Sequence, residues 1–375
     1  MIVTSAERLA DFRKRGWWGD LTVDDLLQRN RKDVPERTAL VDPSNRAALD
    51  GVEPRRLTWA QVGQEVDRIA AALLGQGLKK GDVLSYQMPN VVDTVLLALA
   101  CSRVGLIISP VPTMYREHEF SWVQQKVKPR AIVTVRELAG FNHAKMMSQL
   151  AAGQDTKVLV LGDVEGEQID FRTAIAAADP AAAEAAAKAD PAKPEEVFTI
   201  FWTSGTESRP KGVPRDHNLW IVNAKMVTEA AEISEGEVLL NPFPLVNIGS
   251  FGLVMPWLWQ KGDAGSAPPV RSGCLSEADR AGEGELYHRR SGHSECHPQD
   301  TGHGRGSGPV QPARDRFGFG TAGAVDDRGL GAEVGHRGLQ HLRLERGGVS
   351  VQWSYAREGP HRTGALLPAH GCRGH

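Results

Sequence analysis

Short β-branched or aliphatic runs recur through the first 263 residues with helix-length segments between them, and that succession limits the possible folds more than any other feature. Residues 83–88 (VLSYQM) read as a strand ending at Pro89-Asn90, Val91 to Cys101 is apolar enough for a buried helix, and residues 106–112 (LIISPVP) read as a second strand. Ala131 to Val135 and Lys157 to Leu161 repeat the run. Strand, helix, strand units of this kind make parallel neighbours, so the body is expected to be α/β with largely parallel sheets flanked by helices. Residues 58–77 predict an amphipathic helix, with Thr58 and Gln61 spaced as a capping box, Val62, Val66, Ile69 and Leu73 on one face, and Gly75 and Gly77 as the stop. Ala-rich residues 173–194, with Pro180, Pro191 and Pro194, predict an exposed helix and a hinge.

Val197 to Trp202 is a further β-like run, and it leads directly into Thr203-Ser204-Gly205-Thr206-Glu207-Ser208-Arg209-Pro210-Lys211-Gly212-Val213. Hydroxyls of Thr203, Ser204 and Thr206, together with backbone N–H groups freed by Gly205, suit a nest around phosphate oxygens, and Lys211 adds a mobile positive charge. A Walker A loop needs Gly before its Lys and Ser or Thr after it; here Lys211 lies between Pro210 and Gly212, which excludes that class. A polar surface turn would not require the whole eleven-residue pattern.

These residues resemble the adenylate-forming superfamily of acyl- and aryl-CoA synthetases, luciferases and peptide-synthetase adenylation domains, whose signature is close to TSGTTGxPKGV. This chain departs from it at Glu207 and at Ser208, where the family usually has Gly; a serine stiffens or narrows the loop if that position needs φ > 0. GDVLSYQMPN and ALACSRVGLIISPV are similar to two earlier family blocks, Leu57-Thr58-Trp59 matches the usual helix entry, and NPFPLVNIGSFG resembles the PLFHxxG block, with Asn247 at the position usually held by His. The GWWGDLTVDDLL opening resembles CoA ligases for aliphatic and alicyclic acids.

The resemblance covers about residues 15–263 and implies the N-terminal part of the adenylate-forming fold. It also implies two half-reactions: a carboxylate attacks the α-phosphorus of ATP to give an acyl-adenylate and pyrophosphate, and CoA then displaces AMP. On the same ground Thr203, Ser204, Gly205, Thr206, Glu207 and Lys211 would bind ATP phosphates, Thr206 would lie near Mg²⁺, and Asn247 and Gly249 would line the acyl pocket. Fatty acid metabolism is the setting implied, and a small carboxylic acid, ATP and CoA are the expected partners. The family also needs a later Glu for Mg²⁺, an Asp for the ribose, a hinge and a C-terminal Lys, and none occurs in frame.

Composition changes abruptly near Asp263. Residues 264–375 contain no Lys, Ile, Met or Asn, yet hold 22 of the 40 glycines and 9 of the 12 histidines. Leu, Ile, Val and Phe account for only 16 of those 112 residues, too few to offset the entropy of ordering them, so a tail without a packed fold, mostly disordered, is expected. A GC-rich gene read out of register produces such a shift. Dropping the first nucleotide of each codon makes Asp315 to Leu330 compatible with IGSGSAPLAPWMIEGW and His336 to Gly347 with IEVFNIFGSNEG. The second string restores the family's F/Y-G-x-x-E block with its Mg²⁺-binding Glu. A one-nucleotide slip near codons 262–265 accounts for the tail, which predicts a truncated, inactive chain whose family is that of acid–CoA ligases. A non-catalytic product with residual nucleotide binding and a peptide-synthetase-type adenylation domain are the alternatives.

Other classes are disfavoured. His293, Cys296, His297 and His303 fit no strong zinc spacing, and the tail's 14 arginines are scattered among acids, so neither a metal site nor nucleic-acid binding is expected. Cys101 is the only cysteine of the body and the N-terminus lacks a signal peptide's apolar core, which suits a reducing cytoplasm. Leu239 to Gln260 is broken by Pro242, Pro244 and Pro256, so a buried core segment is expected rather than a membrane span. Truncation would expose apolar surface to chaperones.

Overall fold

The computed structural model describes residues 1–203, 209–241 and 243–261 in full, and the backbone of 270–272, 317–319, 340–346 and 349–355. It divides into two compact units, Met1–His293 and Ser294–His375. In the first, α1 (Ala6–Lys14), α2 (Val23–Asp33), β1 (Thr38–Val41), α3 (Arg46–Asp50) and β2 (Arg56–Thr58) precede the long helix α4 (Trp59–Gly75). Next come β3 (Val83–Gln87), α5 (Val92–Arg103), β4 (Ile107–Pro110), α6 (Glu117–Val127) and β5 (Ala131–Val135). A small ribbon, β6 (Glu137–Leu138) and β7 (Phe141–Asn142), leads to α7 (His143–Ala151), β8 (Lys157–Leu161) and β9 (Ile169–Asp170). After α8 (Phe171–Ala177) and α9 (Pro180–Ala189), β10 (Val197–Trp202) and β11 (Gly212–Asp216) form a hairpin. The unit closes with α10 (His217–Ala230), β12 (Leu240–Asn241), α11 (Ile248–Trp259) and β13 (Val270–Ser272).

Seven strands form the main sheet in the order β11-β10-β4-β3-β5-β8-β9, parallel throughout except for the β10–β11 hairpin. Alternation along the central strands explains why both faces are covered. Ala131, Val133, Val135, Leu159 and Leu161 pack toward α4 and α5, whereas Ile132, Val158 and Val160 pack with Phe120 and Val123 of α6 and Met146 and Met147 of α7. A second sheet runs β12-β13-β1-β2.

The expected helix over 58–77 is α4, with its capping box formed by Gln61 N–H donating to Thr58 Oγ1 (3.3 Å) and Thr58 N–H donating to Gln61 Oε1 (2.9 Å). Val62, Val66, Ile69 and Leu73 are all buried, and Gly77 takes φ +84° just past the end. The Ala-rich segment is two helices rather than one. Asp179 caps a fresh start with Pro180 in its first turn, and Ala183 is fully buried. Asp42, Asp50 and Asp93 surround the buried Arg46, and Asp42 also accepts from Val92 N–H (2.8 Å), which ties β1, α3 and the start of α5 together.

Leu245, Val246 and the α11 residues Phe251, Val254, Met255, Trp257 and Leu258 are core, as expected for this segment, whereas Asn247 and Ile248 are exposed; Trp257 stacks on Trp59 (centroids 4.7 Å apart) and donates to the Ala39 carbonyl (3.0 Å). No described helix is long and apolar enough to cross a membrane. Cys101 is free and buried, and burial pushes its thiol up.

In the second unit β14 (Phe317–Phe319), β15 (Gln340–Arg346) and β16 (Val349–Tyr355) pair antiparallel. Apart from these strands and β13, residues 264–375 lie outside the described residues, and with them the expectation of a tail without a packed fold.

Candidate functional site

β10, β4 and β3 run side by side and end at the same edge of the main sheet, the edge where open parallel α/β sheets bind ligands. Residues 203–211, the segment expected to bind phosphate, connect β10 to β11. Trp202 pairs with Gly212 at the neck, Thr203 N–H donates to the Lys211 carbonyl (3.0 Å), and Lys211 N–H donates to Thr203 Oγ1 (3.1 Å). The Thr203 hydroxyl thus accepts within the neck while its own proton stays available to donate outward. Gly212 is required where it is: a Cβ there would sit 3.0 Å from Ile200 Cγ2 and 3.2 Å from the Trp202 ring. Trp202 is fixed from below by donating to Ser109 Oγ (2.9 Å) on β4. Lys211 is exposed at the end of the tip, and Ser204, Gly205, Thr206 and Glu207 lie outside the described residues.

On the outer side of the tip, Trp122 of α6 donates from its indole nitrogen to the Pro210 carbonyl (2.9 Å). Arg209 and Lys126 each lie 4.4 Å from the centre of its rings. Nothing in the sequence singled out Trp122; an aromatic next to Val123 in a helix reads as core.

A second candidate element is the turn between β12 and α11. Asn90, directly after β3, donates from Nδ2 to the Phe243 carbonyl (2.7 Å) and accepts at Oδ1 from Leu245 N–H (2.8 Å). Buried Asn241 and Ser250 close the other side: Asn241 Nδ2 donates to the Ser250 carbonyl (3.0 Å), and Ser250 Oγ contacts Asn241 Oδ1 (3.0 Å) and the Phe243 carbonyl (2.9 Å). Asn247 is the N-cap of α11 yet its side chain makes no cap hydrogen bond; it is exposed, with Gly249 half-buried two residues on. The Pro89-Asn90 pair was visible as a motif, but the partners of Asn90, 153 and 155 residues away, were not.

Between these elements, Gln87 at the end of β3 donates to the Pro112 (2.6 Å) and Tyr115 (3.0 Å) carbonyls. Its Oε1 therefore accepts from His143 Nδ1 (2.7 Å), and burial, with help from the Arg116 charge, pushes that imidazole down to about 4. Behind the hairpin, fully buried His217 accepts from Val23 N–H at Nδ1 (3.2 Å), and burial holds it neutral with its pKa down to about 3. Its neighbour Asp216, the N-cap of α10, is pushed up to about 6 by burial.

A family model described as AMP-binding enzyme matches residues 27–272, a span that includes the hairpin tip and the 243–250 turn. This chain belongs to the AMP-binding enzyme family. Among curated AMP-binding relatives, the salicyl-AMP ligase / salicyl-S-ArCP synthetase of Mycobacterium tuberculosis is 28% identical over 255 residues, 66% of this chain and 43% of that protein. The medium-chain fatty-acid–CoA ligase of Escherichia coli is 24% identical over 273 residues, 68% of this chain and 44% of that one. The chain thus spans less than half the length of these relatives. Its fold is that of apo MbtA from Mycobacterium smegmatis (TM-score 0.59, 21% identity, 75% of this chain and 50% of that one). ATP-bound MatB from Rhodopseudomonas palustris shares it as well (TM-score 0.52, 20% identity, 67% and 45%).

Proposed function

We propose that this AMP-binding chain descends from an ATP-dependent acid–CoA ligase and carries that enzyme's phosphate-binding hairpin and one wall of its acid pocket without completing a catalytic centre. The observation that carries the reading is the TSGTESRPKGV tip, closed at its neck by Thr203 and Lys211, at the carboxyl edge of the parallel sheet. Thr203, Ser204, Gly205, Thr206, Glu207 and Lys211 would hold the β- and γ-phosphates and neutralise charge on the departing pyrophosphate. Asn247 and Gly249, at the start of α11, would face the acid. CoA is the proposed acceptor, as named for the medium-chain relative.

The exposed cation of Lys211 fits a polyphosphate. The described residues contain no group of three or more His, Cys, Asp or Glu able to hold a metal ion, which fits Mg²⁺ arriving with the nucleotide near Thr206. When bound, Mg²⁺ would supply charge neutralisation on the phosphates.

The reading extends to the domain layout: residues 1–263 are the N-terminal part of the synthetase domain and 264–375 an out-of-frame tail. The abrupt loss of Lys, Ile, Met and Asn after Asp263 supports it. Cytoplasmic residence is part of the proposal.

ATP–pyrophosphate exchange tests it. The 375-residue chain is expected to show none with a medium-chain fatty acid or salicylate, whereas the product of a gene restored by one nucleotide near codons 262–265 exchanges and loses activity on Lys211→Ala. Exchange by the 375-residue chain above its own Lys211→Ala control would overturn inactivity; a restored product that is silent with every acid would overturn the ligase reading.

A further inference from the structure

We propose that Trp122 is a positioning residue for the phosphate-binding hairpin, an inference that rests on the reading of that tip as the nucleotide-phosphate site. Pro210 has no N–H and cannot take part in strand pairing as a donor, so the return limb of the tip has one fewer bond to hold it. Its carbonyl points away from the neck and is met by the Trp122 indole N–H at 2.9 Å. This hydrogen bond from the helical layer adds to the Trp202–Gly212 and Thr203–Lys211 pairing at the neck.

The ring makes a second contribution. Arg209 and Lys126 both lie 4.4 Å from its centre, and the electron-rich face of an indole favours a cation placed over it. Two positive side chains are thereby held on the ring that meets Pro210, with their mutual repulsion partly offset, which adds positive potential on this side of the hairpin. Trp122 is half-buried and its flanks Val123 and Gln124 are buried, so the helix that carries it is firmly seated. The loop is therefore referenced to the rigid α6 layer as well as to the sheet, where Trp202 donates to Ser109.

The test uses the full chain with Trp122→Phe, which keeps a ring but removes the N–H, and Trp122→Leu, which removes both. Hydrogen exchange of peptides spanning 203–213 should quicken roughly three- to tenfold in Trp122→Phe, the range expected for losing one neutral hydrogen bond, and more in Trp122→Leu. Exchange in the α6 and β5 peptides should stay the same. Affinity for Mg-ATP should fall by a similar factor while affinity for AMP, which lacks the β- and γ-phosphates, stays constant. Unchanged exchange at 203–213, acceleration spread equally through α6 and β5, or equal losses for ATP and AMP would each overturn the proposal. If the unsubstituted chain binds no Mg-ATP while exchange at the neck still responds to Trp122→Phe, the phosphate-site reading fails and the anchoring of the tip by Trp122 stands.

Discussion

Two elements at the same sheet edge, the 243–250 turn and the 203–211 tip, are held in opposite ways. The turn is fastened by Asn90, which makes two side-chain-to-backbone bonds, and by the enclosed Asn241 and Ser250, which each make one and also contact each other. Low dielectric strengthens such bonds and makes their loss expensive. The tip is fastened by a backbone pair at its neck and one bond from a half-buried indole, with its cations exposed. The turn, proposed as the acid end, is thus built into the core, whereas the tip, proposed as the phosphate end, is held by fewer and more exposed contacts.

The largest expected effect breaks the stronger side. Asn90→Ala leaves the Leu245 N–H without its side-chain acceptor and removes the amide donor from the Phe243 carbonyl, and should destabilise the chain by about 2–4 kcal/mol, read from the urea midpoint at constant slope. Lys211→Ala in the same titration should move stability by less than about 0.5 kcal/mol. Equal losses in the two variants would erase the contrast.

Acid should act next, on the root of the hairpin. His217 has a folded pKa of about 3, below its ordinary 6.5, so the unfolded chain binds the extra proton; its contribution is complete above pH 6.5 and is lost as pH falls toward 3. Protonation also removes the lone pair that accepts from Val23 N–H. His143, pushed down to about 4, acts in the same direction, whereas Asp216, raised to about 6, gains stability as pH falls through that value and offsets part of the loss. His217→Gln keeps an acceptor without a titrating group. Its stability deficit relative to the unsubstituted chain should shrink by roughly 2 kcal/mol between pH 6.5 and 4.5. A deficit that is constant with pH would remove His217 from the account.

The smallest effect sharpens the comparison at the acid end itself. Asn247→Ala should change stability by less than about 0.5 kcal/mol, because the side chain makes no cap bond. A loss near the ~1 kcal/mol of a working N-cap would mean that Asn247 serves the helix and not a ligand.

Much of the scaffold could be read from local pattern. Val197–Trp202, Ala131–Val135 and Lys157–Leu161 are strands at the expected bounds, because parallel strands buried on both faces leave unbroken apolar runs. The Ala-rich segment was misjudged as one helix, since helix propensity is nearly uniform along it and the break depends on the Asp179 cap and the seat of Ala183. The candidate site was legible only in part. Thr203 and Lys211 were visible as a motif; their mutual closure and the hairpin that presents them were not.

By itself, the sequence determined the class of fold, the phosphate-loop pattern, the exclusion of a Walker A loop and the break in composition after Asp263. These properties reside in neighbouring residues, where periodicity and side-chain chemistry act over a few positions. Only the tertiary structure decided that Asn90 fastens a turn about 150 residues away, that Trp122 meets Pro210 across 88 positions, and that His217 stays neutral. Each depends on which groups are brought together and sealed from water, and burial and long-range hydrogen bonding are properties of the packed chain.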